Sequence, residues 1–361
     1  MIGSLDAGIN PLLSGVDRTP EPPPLPAAVV RLDRNERVEP YPPAIASAII
    51  GRLTGASLSH YPDTSNLYQA LVRYTSLSRE RLLLVPGSDA AYRALAHAFV
   101  RPGDRIAMLD PSYQMYPVYT RMFGGTPVGV PVRVNQAIDF DDLTQQAASS
   151  KMLWLANPNQ PSGTVIAAER VLALTRDVAG TGTLVVVDEA YYPFGGSTVI
   201  GQLSNHENLV VVRSFSKAFG LAGVRLGFVA GPEAVVSALF KVRTSFDINA
   251  LAVAAGEWAL AHPDVVARYV DEAGQSAALL REVAARHGLP APPSAANFQL
   301  IKVGPRFEPS SIKRECWDRG YAIAAPVATP FGDYIRVTTG TLAVLAPFAD
   351  VLDRVLNEAK R

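Results

Sequence analysis

From about residue 80 the chain alternates short apolar runs with stretches of helical periodicity. The runs at 81–85, 105–110, 151–156, 183–188, 208–213 and 224–230 predict strands, and helical patterns at 88–100 and near 167–179 lie between them. Strands with no alternating polar face are covered on both sides, so the pattern predicts an α/β domain with a mostly parallel sheet flanked by helices. Ligands in such sheets bind outside the carboxyl ends of the strands. After Gly231 helical patterns dominate to His287, with a long candidate from Pro263 onward. A proline-rich stretch at 290–293 then leads to strands at 298–303, 321–325 and 334–338 and a last helix near 341–359. This half predicts a smaller α+β domain, joined by part of the N-terminal segment. Pro11, Pro20, Pro22, Pro23, Pro24 and Pro26 crowd the first 27 residues. Proline fixes φ and lacks an amide donor, so an extended arm is expected there, not a helix.

Composition narrows the function classes. The 361 residues can bury a large core, and 33 basic against 33 acidic side chains leave no net charge. No run of like charge stands out, so neither a nucleic-acid surface nor a polybasic membrane patch is expected. Cys316 is the only cysteine, which excludes an intramolecular disulfide and a thiolate metal site. Residues 1–10 lack a basic start and an apolar run, so no signal peptide is expected, and the longest apolar stretches are too short to span a bilayer. These features together predict a cytoplasmic protein without a metal site.

Five segments could carry chemistry. Arg213 to Arg225 places Ser214, Ser216 and Lys217 just past a strand, with Gly220 and Gly223 before Arg225. A lysine that forms an imine must be neutral to attack, so it needs a site that depresses its pKa. Two hydroxyls and a guanidinium fork suit a phosphate monoester. A solvated lysine on a surface loop would look the same locally. Asp188 ends an apolar strand, and Tyr191 follows three residues later. A carboxylate there can keep a pyridinium nitrogen protonated, or it can simply cap a following helix. Gly87, Ser88 and Asp89 lie between a strand and a helix start, where free amides favour an anion, although both polar residues could be caps only. The cluster from Asn157 to Gly163 is turn-forming and offers amides, Gln160 among them. Arg336, on a strand of the small domain, could bind a carboxylate bidentately or lie solvated on an edge.

Taken together these segments resemble the fold-type I, class I and II aminotransferases, and most closely their histidinol-phosphate aminotransferase-like branch. The resemblance rests on Gly87-Ser88-Asp89, Asp110-Pro111-Ser112-Tyr113, Asn157 with Pro161-Ser162-Gly163, Asp188 with Tyr191, Ser214 and Lys217 with Arg225, and Arg336, in register from about Leu32 to the C-terminus. It implies a large domain with a mostly parallel seven-stranded sheet and a smaller α+β C-terminal domain. The expected division is an arm at 1–31, a segment joining the small domain at 32–55, a large cofactor-binding domain at 56–245 and a small domain at 246–361. The cofactor it implies is pyridoxal 5′-phosphate (PLP), carried by Lys217 as a Schiff base, with Lys217 also moving the substrate proton. Asp188 is then expected at the pyridine nitrogen, Tyr191 at the phenolic oxygen and Tyr113 on the ring face. Gly87, Ser88, Asp89, Ser214, Ser216 and Arg225 are expected around the phosphate, and Asn157 and Gln160 in the cofactor loop. Arg336 and Asn35 would bind substrate. Tyr61, in His60-Tyr61-Pro62-Asp63, matches a tyrosine that reaches a neighbouring subunit's phosphate, which implies a homodimer.

Two departures bear on the reaction. The family usually carries asparagine where this chain has Gln160. Ala325 takes the place of a second arginine that histidinol-phosphate enzymes use, and loss of a charged hydrogen bond costs about 1.5–3 kcal/mol. The expected activity is therefore transfer of an amino group from an L-amino acid or related amine to a 2-oxo acid in a biosynthetic route, with the histidinol-phosphate reaction itself less expected. A PLP-dependent decarboxylase, lyase or cyclase is the alternative on the same scaffold. A non-catalytic PLP sensor would need a DNA-binding module, for which the region before Leu32 is too short.

Overall fold

The computed structural model describes residues 8–18, 24–325, 327 and 329–359. Strand β1 (Val30–Leu32) leads into helices α1 (Pro43–Ile50), α2 (Gly55–Ser59) and α3 (Ser65–Thr75). An alternating run follows: β2 (Leu82–Val85), α4 (Ser88–Phe99), β3 (Arg105–Asp110), α5 (Met115–Met122), β4 (Thr126–Pro131), α6 (Phe140–Ala148) and β5 (Met152–Ala156). It continues through α7 (Ala168–Asp177), β6 (Leu184–Asp188), β7 (Leu209–Ser214), β8 (Gly227–Ala230) and α8 (Glu233–Val242).

Strands β2 to β8 form one seven-stranded sheet in the order β2-β8-β7-β6-β5-β3-β4. β8 runs antiparallel to both neighbours, and the other pairings are parallel. Every residue of β2, β5, β6 and β7 is buried, as continuous apolar strands require when helices cover both faces. The reversal of β8 has a consequence for the site: its first residue, Gly227, lies opposite Val85 and Ser214, at the edge where the other strands end. Arg225, Asp188, Ser214 and Gly87 thus meet at one edge.

β4 was not expected from the apolar pattern. Its sequence, Thr-Pro-Val-Gly-Val-Pro, has the proline and glycine content of a loop, and the strand is possible because it sits at the sheet edge, where a missing amide donor costs no ladder bond. The arm also differs from expectation. Pro11–Gly15 forms a 3-10 turn instead of an extended segment, started by the Asn10 side chain accepting from the Leu12 amide at 3.0 Å. Pro20, Pro22 and Pro23 of the expected arm, and Pro326, lie outside the described residues.

The second unit contains α10 (Pro263–Arg286), β9 (Phe298–Lys302), α11 (Pro309–Asp318), β10 (Tyr321–Ile323), β11 (Tyr334–Thr338) and α12 (Leu342–Glu358), preceded by α9 (Ala250–Ala261). β1 pairs in parallel with β10, and β9 pairs antiparallel with β11. Its core joins Leu32 to Leu280, Ile301, Ile335, Phe348 and Leu352. α9 packs instead with the large sheet's core, its Ala252, Ala255 and Trp258 lying in the same cluster as Leu67 and Leu226. α9 thus packs against the large sheet although it follows the expected division at 245, and β1 spans residue 31. Among the described residues no helix is long and apolar enough to cross a membrane, and no cluster of His, Cys, Asp and Glu could hold a metal ion.

Candidate active site

A cavity of about 250 Å³ opens at the carboxyl edge of the large sheet and is lined from both units. One part of its wall is built for an anion. The chain leaves β2 through Gly87, whose φ of 83° belongs to the left-handed region, and α4 starts at Ser88 with its first amides free of helical partners. A Cβ on Gly87 would stand 2.4 Å from Nη2 of Arg225, so glycine is what lets the guanidinium approach the helix start. Arg225 Nη1 donates to Ser216 Oγ at 3.3 Å, and the Ser216 amide donates to Ser214 Oγ at 3.1 Å. Helix amides, serine hydroxyls and a guanidinium together make a strong anion site.

Lys217 lies beside this wall, its Nζ donating to the Arg34 carbonyl at 3.3 Å. Removal from water, with the positive charges of Arg336 and Arg225 nearby, brings its ammonium down to about 8. Asp188 is buried. Its Oδ2 accepts from Tyr116 Oη at 2.5 Å and its Oδ1 from the Ala190 amide at 2.9 Å. Burial pushes its carboxyl above the ordinary range, opposed by hydrogen bonds from Tyr116, Tyr92 and Ala190 and by the charge of Lys217. No helix follows Asp188, so the capping role that its sequence also allowed does not apply.

Tyr191 reaches the cavity from the turn after β6, and its hydroxyl accepts from Asn35 Nδ2 at 2.9 Å. Burial raises the phenol's pKa. Asn35 takes a φ of 54°, a left-handed conformation that asparagine tolerates, and its amide donates to Thr338 Oγ1 at 3.0 Å. Arg336 sits mid-strand in β11, and its Nη2 donates to the Asp33 carbonyl at 2.8 Å. Its Nε is buried without a partner. That idle donor on a guanidinium lining the cavity is what a carboxylate-binding arginine would present before its ligand arrives.

The structure brings Ser88, Asp89, Tyr113, Gln160, Asp188, Tyr191, Ser214, Ser216, Lys217, Arg225, Asn35 and Arg336 to this cavity. Gly87 borders it through Arg225. Asn157 does not line it. Its amide donates to the Ile166 carbonyl at 2.9 Å and its Oδ1 accepts from the Ile166 amide at 2.7 Å, so this side chain braces its loop. Asn159 is likewise spent on Pro111 and Ser162, which leaves Gln160 as the amide that the loop presents. The Asp89 carboxylate accepts from Tyr113 Oη at 3.2 Å and Tyr119 Oη at 2.6 Å. A carboxylate cannot donate to a phosphate, so what Asp89 has to offer an anion is its helix-start amide. Tyr61 lies outside the cavity, exposed and stacked on Phe246 at 4.1 Å between centroids. Ala325 is buried and also outside the lining.

Sequence reasoning missed Tyr92, Tyr116, Arg34 and Glu36. Tyr116 had a legible signal, since it follows Tyr113 by three residues and shares one face of α5 with Tyr119. Tyr92 had none, because an aromatic on a buried helix face is ordinarily core.

The residues present fit PLP. The anion wall suits its phosphate, and the depressed lysine suits its aldehyde. Asp188 is a buried carboxylate that joins no ion pair among the described residues, so a pyridinium would supply its missing counter-charge. The model of the class I and II aminotransferase family matches residues 27–352. The histidinol-phosphate aminotransferase of Symbiobacterium thermophilum is 34% identical over 339 residues, covering 91% of each chain. That of Ruegeria pomeroyi is 30% identical over 342 residues, covering 92% of each. Among solved structures, histidinol-phosphate aminotransferase from Sinorhizobium meliloti in complex with pyridoxal-5′-phosphate superposes with a TM-score of 0.84 at 28% identity, covering 98% of both chains. L-threonine-O-3-phosphate decarboxylase from Porphyromonas gingivalis superposes with a TM-score of 0.75 at 24% identity, covering 91% of this chain and 100% of that one, and shares the fold alone. The chain belongs to the class I and II aminotransferases and is a PLP-dependent transaminase of fold type I.

Proposed function

We propose that this transaminase moves the amino group of an L-amino acid or related amine to a 2-oxo acid, with Lys217 as the lysine that holds PLP and moves the substrate proton. The observation that carries the assignment is Lys217 itself, lowered to about 8 in a cavity that also holds the Asp188 carboxylate, the Arg225 anion wall and the idle Nε of Arg336. When bound, PLP supplies the electron sink that accepts the pair released at the substrate's Cα.

The chain's own residues then divide the work. Arg336 holds the substrate carboxylate, which fixes the Cα–H bond toward Lys217. Lys217 Nζ, brought down to about 8, would be the base that takes the Cα proton and the acid that gives it back on the cofactor side. Asp188 stays ionised against the pyridinium, helped by the hydroxyl of Tyr116. Tyr191, which receives the amide proton of Asn35, keeps its own hydroxyl proton for the phenolic oxygen, and Gln160 adds an amide there. Ser88, Ser214, Ser216, Arg225 and the amide of Asp89 hold the phosphate.

A second reading is the histidinol-phosphate reaction, favoured by the name that both curated relatives carry. Against it stands Ala325, which leaves the position just past β10 without a guanidinium. We also propose a homodimer, in which the exposed Tyr61 on its Phe246 shelf faces the neighbouring subunit. The test is a half-reaction screen. The PLP-loaded protein is mixed with single amino acids and with histidinol phosphate, and conversion to pyridoxamine phosphate is followed by absorbance. An L-amino acid should give complete conversion. Release of CO2 or an elimination product without that conversion would point to the decarboxylase, lyase or cyclase alternative.

A further inference from the structure

Three residues that face the cavity each have a chain neighbour in a single cluster outside it. Asp188 is followed by Glu189, Tyr191 by Tyr192, and Ser214 is preceded by Arg213. Arg213 and Glu189 form a buried ion pair, with side-chain exposures of 6% and 1%. Arg213 Nε and Nη2 donate to Glu189 Oε2 at 3.0 and 2.8 Å. The guanidinium also lies 3.8 Å from the ring centroid of Tyr192 and donates to Tyr74 Oη at 3.2 Å. Thr198 closes the cluster: its Oγ1 accepts from Arg213 Nη2 at 2.8 Å and donates to Glu189 Oε2 at 2.8 Å. The second Glu189 oxygen accepts from the Val199 amide at 2.8 Å.

We propose that the Glu189–Arg213–Tyr192 cluster is a positioning brace that fixes Asp188, Tyr191 and Ser214 relative to one another and so sets the geometry in which the cofactor is held. The proposal rests on the cofactor-holding roles proposed above. The β6–β7 ladder pairs Asp188 with Val212 and stops there, two residues short of Ser214, which is held on its other side by Gly227 of β8. The last main-chain bond of that seam runs from the Glu189 amide to the Val212 carbonyl at 2.8 Å. Beyond it the chain turns through Tyr191 and Tyr192 with no strand partner. The ion pair carries the connection past the ladder's end, and the stacking on Tyr192 anchors the turn from which Tyr191 reaches inward. A buried ion pair is weak evidence for stability, since apolar residues of similar volume often serve as well, and its best-attested use is to specify one arrangement. Here it links neighbours of three residues whose spacing must match one small molecule.

That difference between stability and geometry is the test. The double variant Glu189→Leu with Arg213→Met removes both charges together, and it is loaded with PLP alongside the wild type. Thermal midpoint, the rate at which the visible cofactor band is lost on dilution, and the pH titration of that band are then measured. The brace predicts a thermal midpoint near wild type, release faster by roughly tenfold or more, as when the supporting partners of a bound metal are removed, and a displaced pH midpoint. Release and pH midpoint both equal to wild type would overturn it. If the double variant does not fold, Thr198→Val decides: faster release at an unchanged thermal midpoint supports the brace, and wild-type release overturns it. Failure of the cofactor reading itself shows separately, as a wild-type protein that takes up no PLP.

Discussion

The two halves of the cavity are built differently. The half proposed for the cofactor draws on short contiguous segments at strand ends of a single sheet: Gly87 to Asp89, Asp188 to Tyr191, and Ser214 to Arg225. The half proposed for the substrate is assembled from Arg34 to Glu36 and from Arg336, which come together only when β1 pairs with β10 and β11 folds alongside. The first half inherits its geometry from a rigid seven-stranded sheet. The second depends on how the two units meet, which is where members of one family can diverge in substrate while keeping a shared chemistry.

Substitutions in the cofactor half should strike turnover, and those in the substrate half should strike substrate affinity. The largest effect expected short of removing the lysine is at Asp188. Asp188→Asn removes the counter-charge of the pyridinium and should lower kcat by on the order of 100-fold or more, with KM little changed, in steady-state assays. Arg336→Ala should instead raise KM for carboxylate-bearing substrates, since losing a charged hydrogen bond costs about 1.5–3 kcal/mol, or roughly 10- to 100-fold. An unchanged KM would break the assignment of the two halves.

Lys217 gives a pH test of the cofactor half. Only the neutral amine condenses with an aldehyde, and burial holds this ammonium at about 8 where an ordinary lysine sits near 10.5. Uptake of PLP by cofactor-free protein should therefore slow about tenfold per unit as pH falls below about 8 and level off above it. Stopped-flow absorbance would show an uptake rate still climbing through pH 10 if the amine were not depressed. The smallest effect is expected at Gln160. Gln160→Asn shortens the amide that the loop presents and should change kcat/KM by less than about tenfold, the scale of a single neutral hydrogen bond of 0.5–1.5 kcal/mol.

The same contrast explains what the sequence made legible. The strands from β5 to β7 and the residues at their ends could be read directly, because a continuous apolar run has few other uses and a polar residue that ends it stands out. β4 could not, because an edge strand tolerates the prolines and glycine that otherwise mark a loop. Asn157 was expected in the cofactor loop because an asparagine in a turn can serve a ligand or its own backbone equally well, and here it bonds both polar groups of Ile166 and lies outside the cavity lining. Arg34 and Glu36 were missed for a further reason. Their segment pairs with a strand almost 300 positions later, a contact that no local pattern encodes.

The central claim is that Lys217 carries PLP, and the most direct test is the visible spectrum of a Lys217→Ala variant after loading with the cofactor and gel filtration. The account predicts that the wild type keeps a visible band from covalently held PLP while the variant loses that band along with transamination. A variant that kept the band unchanged would contradict the assignment.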